Sequence, residues 1–221
     1  IRRQDKHIVS HHQQGSRTPP VFAYHYYSGD PSAIPKTRQN HDEYLDYHNR
    51  ITLWSEVFGK PNMIIRVFDS SCLVGGSAVS DFFNILGITD GFKDVRVNES
   101  NGFVRTKVGY HINKHFPRCY VSAHLRSSLD NTGKSRPAAS EAKDFYSRYI
   151  ESNKQLKKEF DIQSEHDDIF GSDFSCYPEQ RADLWTEQTA NTAIGNVFSA
   201  IAPFASLTRK DFVSAARALK D

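Results

Sequence analysis

Apolar residues in the first half of the chain recur at helix and strand spacings. One helix face carries a large side chain every three or four residues, and Gly59 follows it as a C-cap. The residues of that face are Tyr44, Tyr47, Ile51, Trp54 and Phe58. Asn62 to Phe68 is an apolar run that predicts a buried strand, and a second apolar helix ends at Gly87. The order helix, strand, helix predicts an α/β fold with a parallel sheet and flanking helices.

The start of the chain fits the same pattern. Ile1 to Arg3 resembles the end of a strand, and a helix is expected from Asp5 to Gln14, with Gly15 stopping it. Val21 to Tyr27 is aromatic and β-branched, which predicts another strand before a Gly- and Pro-containing loop.

The second half of the chain predicts mostly helices. The helical segments are residues 101–115, 140–158, 179–201 and 208–219. Thr208 and Asp211 form a capping-box-like start for the last one, and residues 128–137 are the clearest internal loop. We therefore expect one domain over residues 1–221, with an α/β part up to residue 90 and a mainly helical part from residue 91.

Charge and composition narrow the function classes. The chain has 221 residues with 28 Lys and Arg against 26 Asp and Glu, so its formal net charge of +2 disfavours a nucleic-acid-binding tail. No apolar stretch is long enough to cross a membrane, and no signal peptide is visible, so a cytoplasmic protein is expected. The three cysteines include no C-x-x-C pair, and no metal site is expected.

Two residues near the start could bind one phosphate group. Arg2 ends the predicted strand and Ser10 follows eight residues later on the predicted helix, so a guanidinium and a hydroxyl could meet the same anion. Taken alone, the two residues fit an ordinary surface arginine and an ordinary helical serine better than a phosphate site.

The order of the segments resembles the bacterial sulfotransferase family. The segments are IRRQDKHIVSHHQQ, YLDYHNRITLWSEVFGKPNMIIRVFD, SAVSDFFNILGI, VNES and RYIESNKQLKKEF. They span residues 1 to about 178, and the resemblance implies a P-loop-like sheet and a 3′-phosphoadenosine 5′-phosphosulfate donor. It implies that Arg2 and Ser10 hold the donor's 3′-phosphate, with Arg3 as a weaker candidate.

The reaction that the resemblance implies is sulfuryl transfer to a hydroxyl, with carbohydrate as the expected acceptor. The family's phosphosulfate loop should precede the strand that ends at Arg2, and nothing before Arg2 in this sequence corresponds to it. The catalytic residues therefore have no assignment, and we expect no turnover from this chain alone if the loop is absent. A non-catalytic nucleotide- or carbohydrate-binding module that retains the fold is the alternative.

Other polar residues have two interpretations each. His7 and His11 have helical i, i+4 spacing, but a solvated helix face is favoured over an acid–base or metal-binding role. Arg66 and Asp69 flank the end of a predicted strand, where ligand crevices form, although a structural ion pair fits equally well. Lys36 lies in a strand–loop–helix sequence like that of a kinase, but no glycine adjoins it, so an irregular loop is favoured.

Aromatic, basic and glycosylation-like positions have simpler interpretations. The aromatic residues of the two helix faces are expected in the core. Lys154, Lys157 and Lys158 are expected on a solvated helix face, or as a guide for an anion. Asn98, Glu99 and Ser100 match a glycosylation acceptor, but a loop and helix cap is favoured.

Overall fold

The computed structural model describes residues 1–17, 32–36, 39–93, 100–116, 121–181 and 185–204. Within those ranges the chain is helical and contains no β-strand. The prediction of an α/β fold with a P-loop-like parallel sheet is therefore wrong for this part of the chain. The predicted strand Val21 to Tyr27 and the predicted helix 208–219 lie outside the described residues.

The described residues form nine α-helices. In chain order they are α1 (Gln4–Gly15), α2 (Gln39–Leu45), α3 (Tyr47–Phe58), α4 (Ala78–Ile85), α5 (Phe103–His115), α6 (Val121–Ser127), α7 (Ala139–Ser147), α8 (Ile150–Glu159) and α9 (Glu187–Ile201). Short 3₁₀ turns occupy Lys60–Asn62, Val74–Gly76 and Ala202–Phe204. None of the described helices combines the length and apolar character that crossing a lipid bilayer requires.

Several helix predictions are confirmed. Helix α1 covers the predicted segment and ends at Gly15. Helix α3 ends as predicted, because Gly59 adopts φ 83° and its N–H donates to the carbonyl of Ser55. The segment 140–158 forms two helices instead of one. They are separated by Arg148 and Tyr149, and Tyr149 is the N-cap of the second helix.

The segment predicted as a buried strand is extended but lacks the partners of a sheet. Ile65 and Val67 pack against the core, whereas Ile64 and Phe68 are exposed, so the alternation typical of a strand is present. In the described residues its backbone pairs only with Ile1. The N–H of Phe68 donates to the carbonyl of Ile1 (2.6 Å), and the terminal amine donates to Arg66 (2.6 Å). A sheet needs a longer ladder than these two hydrogen bonds.

The chain divides into two compact units. Unit 1 comprises Ile1–His7, Thr37–Glu99 and Ser140–Cys176, and unit 2 comprises Ile8–Lys36, Ser100–Ala139 and Tyr177–Asp221. Helix α1 contributes residues to both. The single-domain organisation expected from the sequence stays a prediction.

Unit 1 has an apolar core and also exposes large apolar side chains. One of its buried clusters consists of Tyr47, Leu156, Ile162 and Ile169. Core burial was expected for the whole aromatic face of α3, but Trp54 is 57% exposed and Phe58 62%. Helix α3 packs on α8 near its start, where Asp46 accepts a hydrogen bond from Ser152 (2.5 Å). The contact with α8 leaves Trp54 and Phe58 uncovered, so the expectation fails for these two residues. It also fails for Tyr44 and for Phe82 of α4, which are exposed.

The buried polar residues of unit 1 form specific pairs. Arg3 is 5% exposed, and its guanidinium makes two hydrogen bonds to the carboxylate of Asp5, at 2.8 and 3.0 Å. The Gln4 side chain donates to Asn153 of α8 (2.8 Å) and receives a hydrogen bond from it (3.2 Å). Because both amides are fully buried, this exchange satisfies groups that burial would otherwise penalise.

Unit 2 is a separate helical cluster. Its buried apolar residues come from α5, α6, α9 and the turn after α6: Val104, Ile112, Val121, Leu125, Leu129, Ala193 and Ala200. Gly109 of α5 touches the chain just beyond α1. A Cβ there would lie 2.5 Å from the carbonyl oxygen of Ser16, so this helix position requires glycine.

Asp5→Asn should strongly destabilise unit 1. The substitution leaves the buried Arg3 guanidinium without its counter-charge, and we expect a loss of about 3–5 kcal/mol. Hydrogen exchange measures the loss at α8 amides such as Asn153, whose N–H donates to the carbonyl of Tyr149 (2.8 Å).

The matched control for Asp5→Asn is Glu151→Gln. Glu151 pairs with Lys154 on the surface of α8 (3.3 Å), and its removal should leave α8 exchange nearly unchanged. Equal exchange in the two variants would contradict a structural role for the buried pair.

Candidate functional site

A polar pocket of about 460 Å³ lies entirely within unit 1. The first turn of α1, residues 67–72 and the loop after α8 form its walls. Its charged or titratable residues are Arg3, Lys6, Asp69, Cys72, Glu165, His166 and Asp173. Apolar wall is supplied by Val67, Phe68, Ile169 and Phe170, and the remaining residues are Ser71, Gln163 and Ser164. The pocket therefore combines a ring-lined surface with many hydrogen-bonding groups.

Arg3 is the most constrained cation of the pocket. Besides its two bonds to Asp5, it donates to the carbonyl of Asp173 (2.5 Å), and its guanidinium carbon lies 4.2 Å from the centre of the Phe174 ring. These contacts hold Arg3 by charge, hydrogen bond and ring face. Its charge is already balanced, so Arg3 does not fit the role of a phosphate ligand as well as the sequence suggested.

Lys6 is paired in a similar way. Its ammonium lies 3.2 Å from a carboxylate oxygen of Asp69, whose other oxygen accepts the Ser71 N–H (3.2 Å) and hydroxyl (3.0 Å). Burial acts to raise the pKa of Asp69, but the hydrogen bonds from Ser71 and Lys6 outweigh it and hold the pKa below its usual range. Asp69 is therefore a carboxylate at neutral pH.

Carboxylates outnumber cations inside the pocket. Asp69, Glu165 and Asp173 face only Arg3 and Lys6. The Ser175 N–H donates to Asp173 (2.8 Å) and lowers the pKa of that carboxyl, so it too is ionised. The interior therefore does not fit the phosphosulfate or 3′-phosphate of the expected donor, because each cation already has an anionic partner.

Arg2 differs from both of these cations. Its guanidinium carbon lies 5.6 Å from the centre of the Phe68 ring, and Phe68 is a wall of the pocket. Within the described residues, Arg2 has no carboxylate partner and its side chain donates no hydrogen bond. Unit 1 thus presents one open guanidinium beside a pocket whose own cations are neutralised.

The loop after α8 is built from side-chain-to-backbone hydrogen bonds. The ammonium of Lys157 donates to the carbonyls of Ser164 (3.1 Å) and His166 (2.5 Å). The Ser164 hydroxyl donates to Ile169 and accepts the His166 N–H. Asp168 accepts the N–H of Phe170 and of Gly171, at 3.1 and 2.9 Å. Lys157 is therefore a structural residue, not the solvated cation that its spacing predicted.

The three predicted phosphate-binding residues have different environments. Arg2 and Arg3 belong to unit 1, with Arg2 open and Arg3 paired. Ser10 is exposed on α1 and belongs to unit 2. The joint site of Arg2 and Ser10 stays a prediction.

The other candidates fall outside the pocket. His7 contacts the Tyr47 hydroxyl (2.5 Å), and His11 is half-buried on α1. Arg66 forms an ion pair with Asp81 (2.6 Å) and not with Asp69, which pairs with Lys6. Lys36 is exposed in an irregular stretch, while Asn98 and Glu99 lie outside the described residues. No group of three or more His, Cys, Asp or Glu side chains in the described part is arranged to hold a metal ion.

Sequence reasoning found one wall of the pocket and missed the opposite one. Asp69 was a candidate because it follows an apolar run. Lys6, His166 and Asp173 were not candidates, although the run from Gln163 to Asp173 is dense in polar residues and contains a glycine. That density, directly after a helix, is the signal that could have indicated a functional loop.

The carboxyl of Asp69 should titrate below the ordinary aspartate pKa of about 3.9. Its ionised form then stabilises unit 1 above that pH, and this contribution disappears as the pH falls through the lowered pKa. Lys6→Met should move the pKa upward, as measured by carboxyl ¹³C NMR.

Lys158→Met serves as the control for this titration, because Lys158 lies on α8 and does not line the pocket. A titration curve of Asp69 that is the same in both lysine variants would contradict the pairing of Lys6 with Asp69.

Comparisons with known proteins found no match to the chain. No protein-family model, curated protein or solved structure matches the chain. The resemblance to bacterial sulfotransferases therefore rests on the sequence segments alone, and the activity that it implies is a proposal.

Proposed function

We propose that the chain is a sulfotransferase-like protein that binds the 3′-phosphate of an adenylyl donor at Arg2 and a carbohydrate hydroxyl in the adjacent pocket. The reaction transfers the sulfuryl group of 3′-phosphoadenosine 5′-phosphosulfate to that hydroxyl. The bond from sulfur to the phosphate oxygen breaks and a bond from sulfur to the acceptor oxygen forms. The hydroxyl releases its proton to solvent water, and adenosine 3′,5′-bisphosphate leaves.

The observation that carries the proposal is the contrast among three neighbouring cations. Arg3 and Lys6 are each paired with a carboxylate, at 2.8 and 3.2 Å, whereas Arg2 meets only the Phe68 ring and a carboxylate partner is absent from the described residues. An arginine that is fixed by a ring and lacks a counter-charge is suited to a phosphate, which its planar donors can bind in pairs. The resemblance to the family implies the same role for Arg2.

The pocket suits a neutral, hydroxyl-rich acceptor. Ionised carboxylates accept hydrogen bonds strongly and have no hydrogens to donate, so they match the O–H groups of a sugar. Ser71, Ser164 and Gln163 add donors and acceptors, and the Phe68 and Phe170 rings offer apolar contact. A ligand with its own negative charge would meet three carboxylates.

The alternative is a carbohydrate- or nucleotide-binding module without catalysis. The pocket and the open arginine support binding in both cases. Donor-dependent sulfation of the acceptor distinguishes the enzyme from the module, because a module binds its ligands and leaves them unchanged.

Adenosine 3′,5′-bisphosphate should bind to the chain, and Arg2→Ala should weaken its binding. Loss of a charge-assisted contact to phosphate costs about 1.5–3 kcal/mol, or roughly 10- to 150-fold in Kd. Isothermal calorimetry at low and moderate salt measures the change, and raising the salt should reduce the difference between wild type and variant.

Arg148→Ala is the matched control for Arg2→Ala. Its guanidinium also lies over an aromatic ring, that of Phe145 at 5.1 Å, but neither residue lines the pocket. If the two variants bind the nucleotide equally well, Arg2 is not the phosphate ligand.

Sulfuryl transfer should depend on the pocket carboxylates. With ³⁵S-labelled donor and a panel of neutral p-nitrophenyl glycosides, wild-type protein that carries the phosphosulfate loop should label the sugar, and Asp69→Asn should raise the KM for the glycoside. Binding without labelling by that protein would reject the enzyme in favour of the module. Preferred labelling of glucuronides over neutral glycosides would contradict the acceptor class.

A further inference from the structure

The imidazole of His166 lies directly over a bare glycine. Gly171 adopts φ 72°, and a Cβ at this position would lie 2.7 Å from Cε1 of the His166 ring and 2.8 Å from both Cδ2 and Cγ. Real Cβ atoms do not approach ring carbons so closely. The ring therefore occupies the space that any side chain at residue 171 would fill.

The backbone on either side of this contact is held by other residues. Lys157 and Ser164 bind the main chain of His166, through its carbonyl (2.5 Å) and its N–H (3.2 Å). Asp168 binds the N–H of Gly171 (2.9 Å). Asp168 is itself buried and accepts the hydroxyl hydrogen of Tyr146. Because both backbones are held, a clash at residue 171 is relieved most easily by rotation of the His166 side chain.

We propose that Gly171 is a positioning residue for the pocket, because its missing side chain lets the His166 imidazole form part of the pocket wall. The inference rests on the proposed function in that the pocket is taken as the acceptor site. Gly171 does not line the pocket and acts only through His166. The ring position in turn limits which hydroxyl-bearing ligands fit against the loop.

Gly171→Ala in the full chain should therefore reproduce the effect of His166→Ala on the pocket. The reporter is Cys72, a free and exposed thiol that lines the same pocket. Its reaction rate with N-ethylmaleimide, followed by mass mapping of the Cys72 peptide, should change about threefold or more in both variants. The His166 ring signals in ¹H–¹³C NMR should shift in Gly171→Ala.

Gly87→Ala is the control for the effect of backbone strain. Gly87 has nearly the same φ, 73°, and no atom lies within 4 Å of the point that its Cβ would occupy, so this variant carries strain without a clash. The Cys72 rate and the His166 signals should match those of wild type. A Gly171→Ala chain that also matches wild type would overturn the proposal.

The double variant separates positioning from general damage. In a His166→Ala background, adding Gly171→Ala should leave the Cys72 rate unchanged, because no ring remains to be displaced. A further change of the same size would show that Gly171 acts independently of His166 and would overturn the proposal. If Gly171→Ala proves unfolded by circular dichroism while His166→Ala/Gly171→Ala folds, the clash with the ring is confirmed by rescue.

These readouts need no ligand, so they remain decisive if sulfuryl transfer is not found. Where transfer is found, Gly171→Ala should raise the KM for the p-nitrophenyl glycoside about threefold or more with little change in the Kd of adenosine 3′,5′-bisphosphate, which binds at Arg2. An equal loss of affinity for both ligands would contradict a role confined to the pocket wall.

Discussion

The pocket of unit 1 depends on the buried ion pair between Arg3 and Asp5. Both side chains are almost removed from solvent, and a charge in that environment is stable only with a partner and further hydrogen bonds. The carbonyl of Asp173 supplies the next bond to Arg3. One guanidinium thus connects the first turn of α1 to the loop on the far side of the pocket, and it fixes the distance between the two walls before any ligand arrives.

That pairing also separates the roles of two adjacent arginines. Arg3 lies within reach of Asp5, two residues along the chain, and is neutralised there. Arg2 precedes the helix and extends over Phe68, where the described residues offer it no carboxylate. Two identical side chains in sequence therefore become a structural residue and an open cation. The sequence resemblance ranked Arg2 above Arg3, and the charge balance around each residue gives a physical reason for that ranking.

Local sequence signals predicted the individual helices better than they predicted how the elements pack together. Gly59 ended α3 as expected, because helices commonly end at a glycine with a positive φ and this signal depends only on the local sequence. The strand 62–68 depended on neighbours, and only Ile1 pairs with it in the described part, so it stays extended without a sheet. Likewise, the spacing of Trp54 and Phe58 placed them on one face of α3 but did not reveal that both side chains are exposed. Asp69 was predictable from the end of an apolar run, whereas His166 and Asp173 depend on an irregular loop.

The construction of that loop has a consequence for how the pocket could change. Helices α3 and α8 are held by apolar packing around Tyr47 and Leu156, where substitutions leave cavities and cost stability. The loop also depends on hydrogen bonds between the side chains of Lys157, Ser164 and Asp168 and nearby backbone groups. Ile162 and Ile169 anchor the loop in the same apolar core, and Asp168 accepts the hydroxyl hydrogen of Tyr146. Between these anchors, Gln163 and Glu165 are exposed and line the pocket, so substitutions at these two positions can alter the pocket wall at less cost to stability than substitutions in the core.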